Sequence, residues 1–314
     1  MGKKKAIENQ LHNSLKDKIA FGQSKHEDKA SVRFGESTYK IYSYATYNTY
    51  LKTTKEYSKW LIEIKHIGKY ERMENTEQYA TEYLQYRQDN NISIYTLKME
   101  RSALSMLYGK SIKFDLPTRD NKAIKRSREE TTNDKHYSRE GKYKDVFIMG
   151  VATGGRRKDL TNLKVSALRE INGQLYIAFN RSKGGRNRLS PVRQEYAEQV
   201  REIFLKRQTE GKEKVFDKIP CKIDIHSLRR EYAKNLYQDI LGNPSLRDEY
   251  LKQYPERKEL KTQKDKDGTA YTKEIKTKTY KDRDGNIYNR DDLYVISKSL
   301  GHNRIDTTIT HYLK

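Results

Sequence analysis

The sequence predicts a multidomain protein of the α plus mixed α/β class. A helical bundle comes first, and a mostly helical domain with a small antiparallel sheet follows it. The chain has 314 residues, which is enough for two ordinary domains. Apolar residues recur at helical spacing over 43–109 and again in the second half of the chain. Asn172-Gly173 stands between two alternating segments, which is a strong hairpin signal.

Residues 1–40 are predicted to form an N-terminal arm. Apolar residues recur every four positions there, as on one face of a helix: Ile7, Leu11, Leu15 and Ile19. So short a stripe cannot form a core of its own. We therefore expect the arm to pack on a neighbour, to dimerise, or to fold only on binding.

Residues 41–116 are predicted to form a helical bundle, with helices within 43–109. The first helix contains Trp60, the second begins at Asn75 with Gln78 at capping-box distance, and the third begins near Ser93. Tyrosine buries its ring and leaves a hydroxyl for water or phosphate. Most tyrosines of this segment are therefore expected in the core of the bundle.

A charged segment that is poor in apolar residues, 117–142, is predicted to link the two domains. Several of its basic side chains could also touch a polyanion: Lys122, Lys125, Arg126 and Arg128.

The second domain is predicted over 143–314. It opens with the apolar run 146–149, continues with the hairpin around Asn172-Gly173, and has helical patterns at 195–207, 227–241 and 290–300. A strongly charged insertion occupies about 244–290. Alternation over 269–280, followed by Asp284-Gly285, predicts a basic β-hairpin within it.

The charge of the chain points to nucleic acid as the partner. Lys and Arg number 65 against 43 Asp and Glu, which gives a formal net charge of +22. Such a field attracts polyanions, and each neutralised phosphate releases a counterion. No long apolar run exists and the basic N-terminus lacks a following apolar segment, so neither a membrane span nor a signal peptide is expected.

Cys221 is the only cysteine, so a disulfide within the chain is impossible. A reducing cytoplasm fits this composition. No carboxylate cluster suggests a metal, and we expect no cofactor.

Short motifs in the second half carry candidate chemistry. Arg156 lies in a Gly-Gly-Arg turn that enters a helix, which suits a phosphate, and Arg157 competes with it from the same turn. Lys183 lies in a predicted tight turn, where it is either a mobile proton donor or part of a solvated loop. His226 and Arg229 open a helix and, being three residues apart, share a face that can meet one phosphate.

A fourth motif, Leu300-Gly301-His302, lies near the end of the chain, and Tyr312 follows ten residues after its histidine. The glycine predicts a helix stop, which would fix His302 at a junction. His311 projects about 100° away from Tyr312 on a helix, so we interpret it as structural or DNA-facing.

In this order the motifs resemble those of the tyrosine recombinase (phage integrase) family. The resemblance covers about 145–314 by motif and, more loosely, 43–109 as the family's core-binding (SAM-like) domain. Asp159 matches the acidic position of the first arginine box, and Arg188 and Pro191 match the spacing of the hairpin lysine segment. The implied catalytic residues are Arg156, Lys183, His226, Arg229, His302 and Tyr312.

The resemblance implies that Tyr312 attacks a DNA phosphate and forms a 3′-phosphotyrosyl bond, which can reseal without ATP. Arg156 and Arg229 would bind the non-bridging oxygens, and His302 would donate a hydrogen bond to the same oxygens. His226 would accept the phenolic proton or orient the phenol. Lys183 would protonate the departing 5′ oxygen.

Two features depart from the family pattern. Arg229 and His302 are 73 positions apart, which is unusually long, and the charged insertion accounts for the excess. Tyr312 is one position farther from His302 than is common, and only two residues follow it. We therefore expect no exchanged C-terminal helix. Either the arm around Ile7–Ile19 or the inserted hairpin around 269–288 could couple neighbouring protomers instead, and we favour the hairpin, although it could also only add affinity for DNA.

Together these features predict a site-specific DNA recombinase or integrase of a mobile element, in the bacterial cytoplasm with the nucleoid. Its partners would be double-stranded DNA, three further copies in a homo-tetramer on two duplexes, and optionally an accessory DNA-bending or directionality factor. Strand exchange would pass through a Holliday junction. The alternatives are a dimer-resolving recombinase, a type IB topoisomerase-like enzyme, and a DNA-binding protein without catalysis.

Overall fold

The computed structural model divides into two compact units, Met1–Ile124 and Lys125–Lys314. Most of the predicted linker, 117–142, and Lys183 lie outside the residues that it describes. The described residues are 5–33, 36–118, 137–180, 182, 185, 187–258, 260–264, 270–282, 284–302 and 304–313.

The first unit is a helical bundle, as predicted. Ser43 and Ser93 cap two of its helices by accepting hydrogen bonds from the N–H groups of Thr46 and Thr96. The predicted helix start at Asn75 is wrong, because a 3-10 turn, Met73–Tyr79, precedes the α-helix there. The helices are α1 (Ile7–Lys16), α2 (Lys25–Ala30), α3 (Tyr44–Glu63), α4 (Ala80–Asp89) and α5 (Ile94–Tyr108).

The described part of the predicted arm belongs to this bundle. Ile7, Leu11 and Leu15 of α1 are fully buried in the same core as α3 and α5. Ile19 forms a β-bridge with Ile41. The neighbour that the apolar stripe needs is therefore the bundle itself, and α1 packs within it.

Two tyrosine rings lie in the centre of the bundle, but the prediction for most tyrosines of 41–116 is wrong, because the others are partly or fully exposed at its surface. The rings of Tyr57 and Tyr83 are both buried, with centroids 5.1 Å apart. The Tyr57 hydroxyl donates to the backbone carbonyl of Thr76 at 2.6 Å, so the buried phenol keeps a polar partner.

The second unit combines helices with short antiparallel strands. Asn172 and Gly173 both have positive φ, 52° and 78°, which is the backbone of a type I′ turn and confirms the predicted hairpin. Its elements are α6 (Lys144–Thr153), α7 (Arg157–Thr161), β1 (Leu168–Ile171), β2 (Gln174–Phe179), β3 (Arg188–Pro191), α8 (Ala197–Thr209), α9 (Ile225–Gly242), α10 (Pro244–Leu251), β4 (Leu260–Lys264), β5 (Ala270–Glu274), β6 (Thr279–Lys281), β7 (Ile287–Asn289), α11 (Arg290–Ser299), α12 (Ile305–Thr308) and a π-helical turn (Ile309–Leu313).

The close contact between α6 and α9 positions the centre of the second unit. A Cβ atom at Gly150 would lie 2.6 Å from a methyl carbon of Leu228, and one at Gly154 would lie 2.4 Å from the ring of Tyr232. Glycine at both positions lets the two helices approach. The approach brings the end of α6 against the first turns of α9.

The charged insertion differs from its prediction. It contains α10 and two separate hairpins instead of one. Strand β5 forms an antiparallel pair with the preceding strand β4, with Ala270 opposite Lys264. Strands β6 and β7 form the other antiparallel pair, which the Asp284-Gly285 turn connects. The alternation over 269–280 therefore spans strands of two hairpins, which a pattern of period two cannot distinguish from one long strand.

Within the described part of the chain, no helix is long and apolar enough to cross a membrane. In the same residues no group of three or more His, Cys, Asp and Glu side chains is arranged to hold a metal ion.

Candidate active site

Arg229 lies at the centre of the candidate site. Its side chain extends from the second turn of α9 and is fully buried. One terminal nitrogen donates to the carbonyl of Gly154 at the end of α6, and the other donates to the carbonyl of Leu300 at the end of α11. The remaining donor, Nε, lies 3.1 Å from the hydroxyl of Tyr312. The guanidinium therefore joins three segments of the unit.

His302 follows the glycine that ends α11. Gly301 has φ +66°, and the turn places the Nε2 atom of His302 3.3 Å from Nη2 of Arg229. The Nδ1 atom lies 3.2 Å from the hydroxyl of Thr308. Because arginine only donates hydrogen bonds, Nε2 is the acceptor and Nδ1 carries the proton.

Tyr312 lies in the π-helical turn that ends the described chain. Its ring centroid is 5.2 Å from that of His302, and the guanidinium carbon of Arg229 is 5.3 Å from the same centroid. The ring is half-buried, and it packs against the cluster of α9, α10 and α11. The hydroxyl therefore reaches the buried arginine from the surface side.

Arg156 precedes α7, and its side chain is 17% exposed. Its backbone N–H donates to Asp159 at 3.1 Å, and its Nη1 donates to the hydroxyl of Ser182 at 3.1 Å. Ser182 in turn donates to the other oxygen of Asp159 at 2.9 Å. This reciprocal arrangement fixes the turn that carries the arginine.

Arg188 is a part of the site whose role the motifs did not reveal. Its guanidinium is buried, donates to Asp159 at 3.0 Å and to the carbonyl of Ser299, and lies 4.1 Å from the ring centroid of Phe179. A Cβ at Gly301 would be 2.7 Å from its Cδ. The sequence did contain a signal. Arg188 and Ser190 are two positions apart, so in a strand their side chains lie on the same face, and the structure shows that this face is buried.

Arg157, the competing candidate, turns away from this group. Its guanidinium donates to the carbonyls of Pro220, Cys221 and Ile223, the segment that leads into α9. The structure therefore gives Arg157 a scaffold role and leaves Arg156 beside Asp159.

His226 and His311 are both exposed. His226 lies on the first turn of α9, one turn before Arg229, and the side chain of Asp224 caps that turn by accepting from its N–H at 3.0 Å. The structure thus brings Arg156, Arg229, His302 and Tyr312 into one group, and His226 lies three residues before Arg229 at the exposed start of α9. Lys183 lies outside the described residues.

The electrostatics of the group favour an anion. Burial and the charges of Arg229, Arg156 and Arg188 lower the pKa of His302 to about 3, so it is neutral at neutral pH. Burial and the neighbouring arginines lower the pKa of Arg229 to about 9, which still leaves it charged. An oxyanion here would meet several donors beside a phenol, and its negative charge would offset the mutual repulsion of the cations.

Burial would raise the pKa of Asp159, but the charge of Arg188 and the hydrogen bonds of the carboxylate lower it. Asp159 therefore stays ionised and holds Arg188 in place.

No protein-family model matches this sequence, and none of the curated proteins does. Solved structures do share its fold. The XerH site-specific recombinase bound to difH substrate, in a pre-cleavage complex, has a TM-score of 0.52 and 16% identity over 99% of this chain and 93% of that chain. A post-cleavage complex of XerH with palindromic difH has a TM-score of 0.50 and 15% identity over 99% and 94%. The chain therefore has the fold of the tyrosine recombinases, which confirms the predicted fold class.

Proposed function

We propose that this chain, which has the tyrosine recombinase fold, is a site-specific DNA recombinase that works through a 3′-phosphotyrosyl intermediate. The observation that carries this proposal is the 3.1 Å hydrogen bond between Arg229 and the hydroxyl of Tyr312, inside a group of buried cations. A phosphate bound by those cations would lie next to a nucleophile.

In the proposed reaction the Tyr312 oxygen attacks phosphorus, and the bond from phosphorus to the 5′ oxygen breaks. Arg156 and Arg229 would stabilise the charge on the non-bridging oxygens. The phenolic proton would go to His226, and Lys183 would supply a proton to the departing 5′ oxygen. Attack by a 5′ hydroxyl on the phosphotyrosyl bond would then rejoin the strand and release Tyr312, so the number of phosphodiester bonds is unchanged.

A phosphate would meet in Arg229 a side chain with five N–H groups that already has several partners. In the described geometry its donors already serve Gly154, Leu300, Tyr312 and His302. The contact with His302 is the longest of these at 3.3 Å. We propose that a phosphate oxygen takes that N–H. The freed Nε2 of His302 would then gain a proton from solvent, favoured by the negative charge of the phosphate, and donate to the same phosphate.

XerH is a site-specific recombinase that was captured on difH substrate. We extend double-stranded DNA as a substrate to this chain, whose net charge of +22 supports it. The finer proposal is a mobile-element integrase that acts as a homo-tetramer on two duplexes through a Holliday junction, with an optional accessory DNA-bending or directionality factor.

A duplex nicked next to the cleavage site tests the proposal, because the short 5′ fragment diffuses away and traps the covalent complex. We expect the wild type to attach to such DNA. Tyr312→Phe should bind the same DNA equally well and attach to none. Tyr86→Phe, a matched change at an exposed tyrosine of the first unit, should attach like the wild type.

The outcomes separate the alternatives. Attachment by Tyr312→Phe would remove the tyrosine from the nucleophile role. A wild type that binds many duplexes tightly but attaches to none would favour the DNA-binding protein without catalysis. Relaxation of supercoils by a monomer, with no joined products from two duplexes, would favour the type IB topoisomerase-like enzyme. Preferential recombination between two sites on one DNA circle would favour the dimer-resolving recombinase.

A further inference from the structure

The second hairpin of the insertion, β6–β7, packs on the segment that carries Tyr312. We propose that this hairpin positions the nucleophile from within the same chain, with Tyr280 and Tyr288 as positioning residues. The inference rests on the proposed function, because it concerns delivery of the same phenol.

The contacts between the hairpin and the C-terminal segment are apolar. Tyr280 of β6 and Tyr288 of β7 are partners in the strand register, so their Cα atoms face each other across the hairpin. Both rings pack, together with Leu313, on one small buried cluster. Its members come from α11, α12 and the π-helical turn: Leu293, Ile305 and Ile309.

Ile309 is three residues before Tyr312 in the same π-helical turn, and Leu313 is adjacent to Tyr312. The two tyrosine rings of the hairpin therefore pack on a cluster to which the segment of Tyr312 contributes Ile305 and Ile309. A segment of this length, Ile305–Leu313, is too short to hold a helical conformation by its own hydrogen bonds. Its geometry depends on what it packs against.

The hairpin is anchored to the first residue of α11. The backbone N–H of Arg290 donates to the carbonyl of Lys278 at 2.9 Å. Its side chain Nε donates to the carbonyl of Thr279 at 2.9 Å, and its guanidinium carbon lies 5.3 Å from the ring centroid of Tyr280. The same helix leads to His302, so the hairpin and the histidine share a support.

A second contact links the hairpin to the helix of Arg229. The ring centroids of Tyr288 and Tyr237 are 6.2 Å apart. Tyr237 lies about two helical turns after Arg229 on α9. The hairpin therefore touches both the helix that carries the central arginine and the segment that carries the nucleophile.

The tip of the hairpin is closed by its own residues. The side chain of Asp282 accepts from the backbone N–H groups of Asp284 and Asn286, both at 2.9 Å, and Gly285 takes φ +90°. These contacts lie within the hairpin itself, so β6–β7 can act on its own chain. The coupling role predicted for a single inserted hairpin then falls to β4–β5, for which it stays a proposal.

The test compares loss of the rings with loss of only their hydroxyls. Tyr280→Ala and Tyr288→Ala should slow attachment to the nicked duplex by about 10- to 100-fold at saturating DNA, because a shift of about 1 Å in a reacting group can cost about 10²-fold. Affinity for DNA should change less than twofold. Tyr280→Phe and Tyr288→Phe should attach like the wild type. Lys281→Ala, an exposed neighbour on β6, is the matched control.

Hydrogen exchange of the DNA-free protein supplies a readout that does not depend on activity. We expect exchange to rise in 305–313 in both alanine variants, with α6 unchanged. Should an alanine variant also loosen α6, the milder Tyr280→Leu and Tyr288→Leu carry the test. Wild-type attachment rates and wild-type exchange in 305–313 in these ring-deleted variants would overturn the inference. Failure of the wild type to attach to DNA would overturn the proposed function instead. Hydrogen exchange in 305–313 would then still show whether the hairpin supports this segment.

Replacing β4–β5 provides a second control. Leu260 and Glu274 are register partners, so a short Gly/Ser linker can join the chain where the hairpin begins and ends. This variant should attach to nicked DNA like the wild type. Attachment slowed as much as in Tyr280→Ala would assign positioning to the whole insertion and overturn the specific role of β6–β7.

Discussion

The Nε atom of Arg229 donates a hydrogen bond to the hydroxyl of Tyr312 across 3.1 Å. The same guanidinium is fully buried and is fixed by the carbonyls of Gly154 and Leu300. The phenol is therefore held by a cation whose own place is set by the main chain. A phosphate that reaches this cation would find the phenol already at hydrogen-bond distance from it.

Replacing Arg156 and replacing Arg157 should have different effects, the first on the rate of covalent attachment and the second on stability. Arg156→Ala should slow covalent attachment by about 10²–10³-fold, as expected when one charge-assisted donor to a transition state is removed. Arg157→Ala should slow it far less and should instead lower the free energy of unfolding by about 1–3 kcal/mol, since three carbonyls before α9 lose a charged donor. Single-turnover attachment and urea unfolding check both effects. The opposite ranking of rates would move the first arginine box by one residue.

Gly301→Ala tests whether covalent attachment to DNA depends on the close contact between Arg188 and the turn before His302. The new Cβ would lie 2.7 Å from the Cδ of Arg188, so the guanidinium or the turn must shift. We expect attachment to slow by about 10²-fold. Gly211→Ala is the matched control, because Gly211 has φ +67° and no atom within 4 Å of a new Cβ.

Both glycine variants should lose about 1 kcal/mol of stability from left-handed backbone strain, measured by urea unfolding. A Gly301→Ala variant with the attachment rate of Gly211→Ala would show that the contact is not needed.

The stability of the DNA-free protein should fall with acidification. His302 has a pKa of about 3 in the folded protein, against about 6.5 in an unfolded chain. Between these values the unfolded state binds a proton that the folded state does not, so stability is lost as the pH falls from about 6.5. The loss should reach at most about 2 kcal/mol by about pH 5.

His302→Gln should remove that part of the pH dependence. Urea unfolding at about pH 7.5 and about pH 5 measures the difference between wild type and variant. Equal losses in the two proteins would show that His302 titrates normally in the folded state.

Lys183→Ala should be rescued chemically, if Lys183 is the general acid. The variant should cleave a normal phosphodiester much more slowly than the wild type, because an alkoxide leaves poorly without a proton. On DNA with sulfur at the bridging 5′ position the two proteins should react at similar rates, since a thiol has a pKa near 8.5 and leaves as thiolate. An equal defect on both substrates would remove Lys183 from this role.

Much of the fold and the candidate site could be predicted because the motifs fall at the ends of elements. Arg156 precedes α7, Arg229 lies near the start of α9, and His302 follows the end of α11. Capping residues, glycines and apolar spacing mark such ends in a sequence.

What could not be predicted depends on contacts between distant segments. The stripe of α1 shows that a partner is needed but not which one. The burial of Arg188 follows from its pairing with Asp159 and Ser299, and one-dimensional spacing contains no information about such a pairing. The division of the insertion into two hairpins depends on strand register, which alternation alone does not define.

The two carbonyls that hold Arg229 have a consequence for how this protein can diverge. Carbonyl oxygens are present in every amino acid, so the residue at position 300 could be replaced without removing the acceptor that the guanidinium uses. Only the path of the backbone has to persist. Relatives that keep a few polar side chains at the ends of helices can therefore change most other residues. Their structures would stay similar after their sequences no longer align.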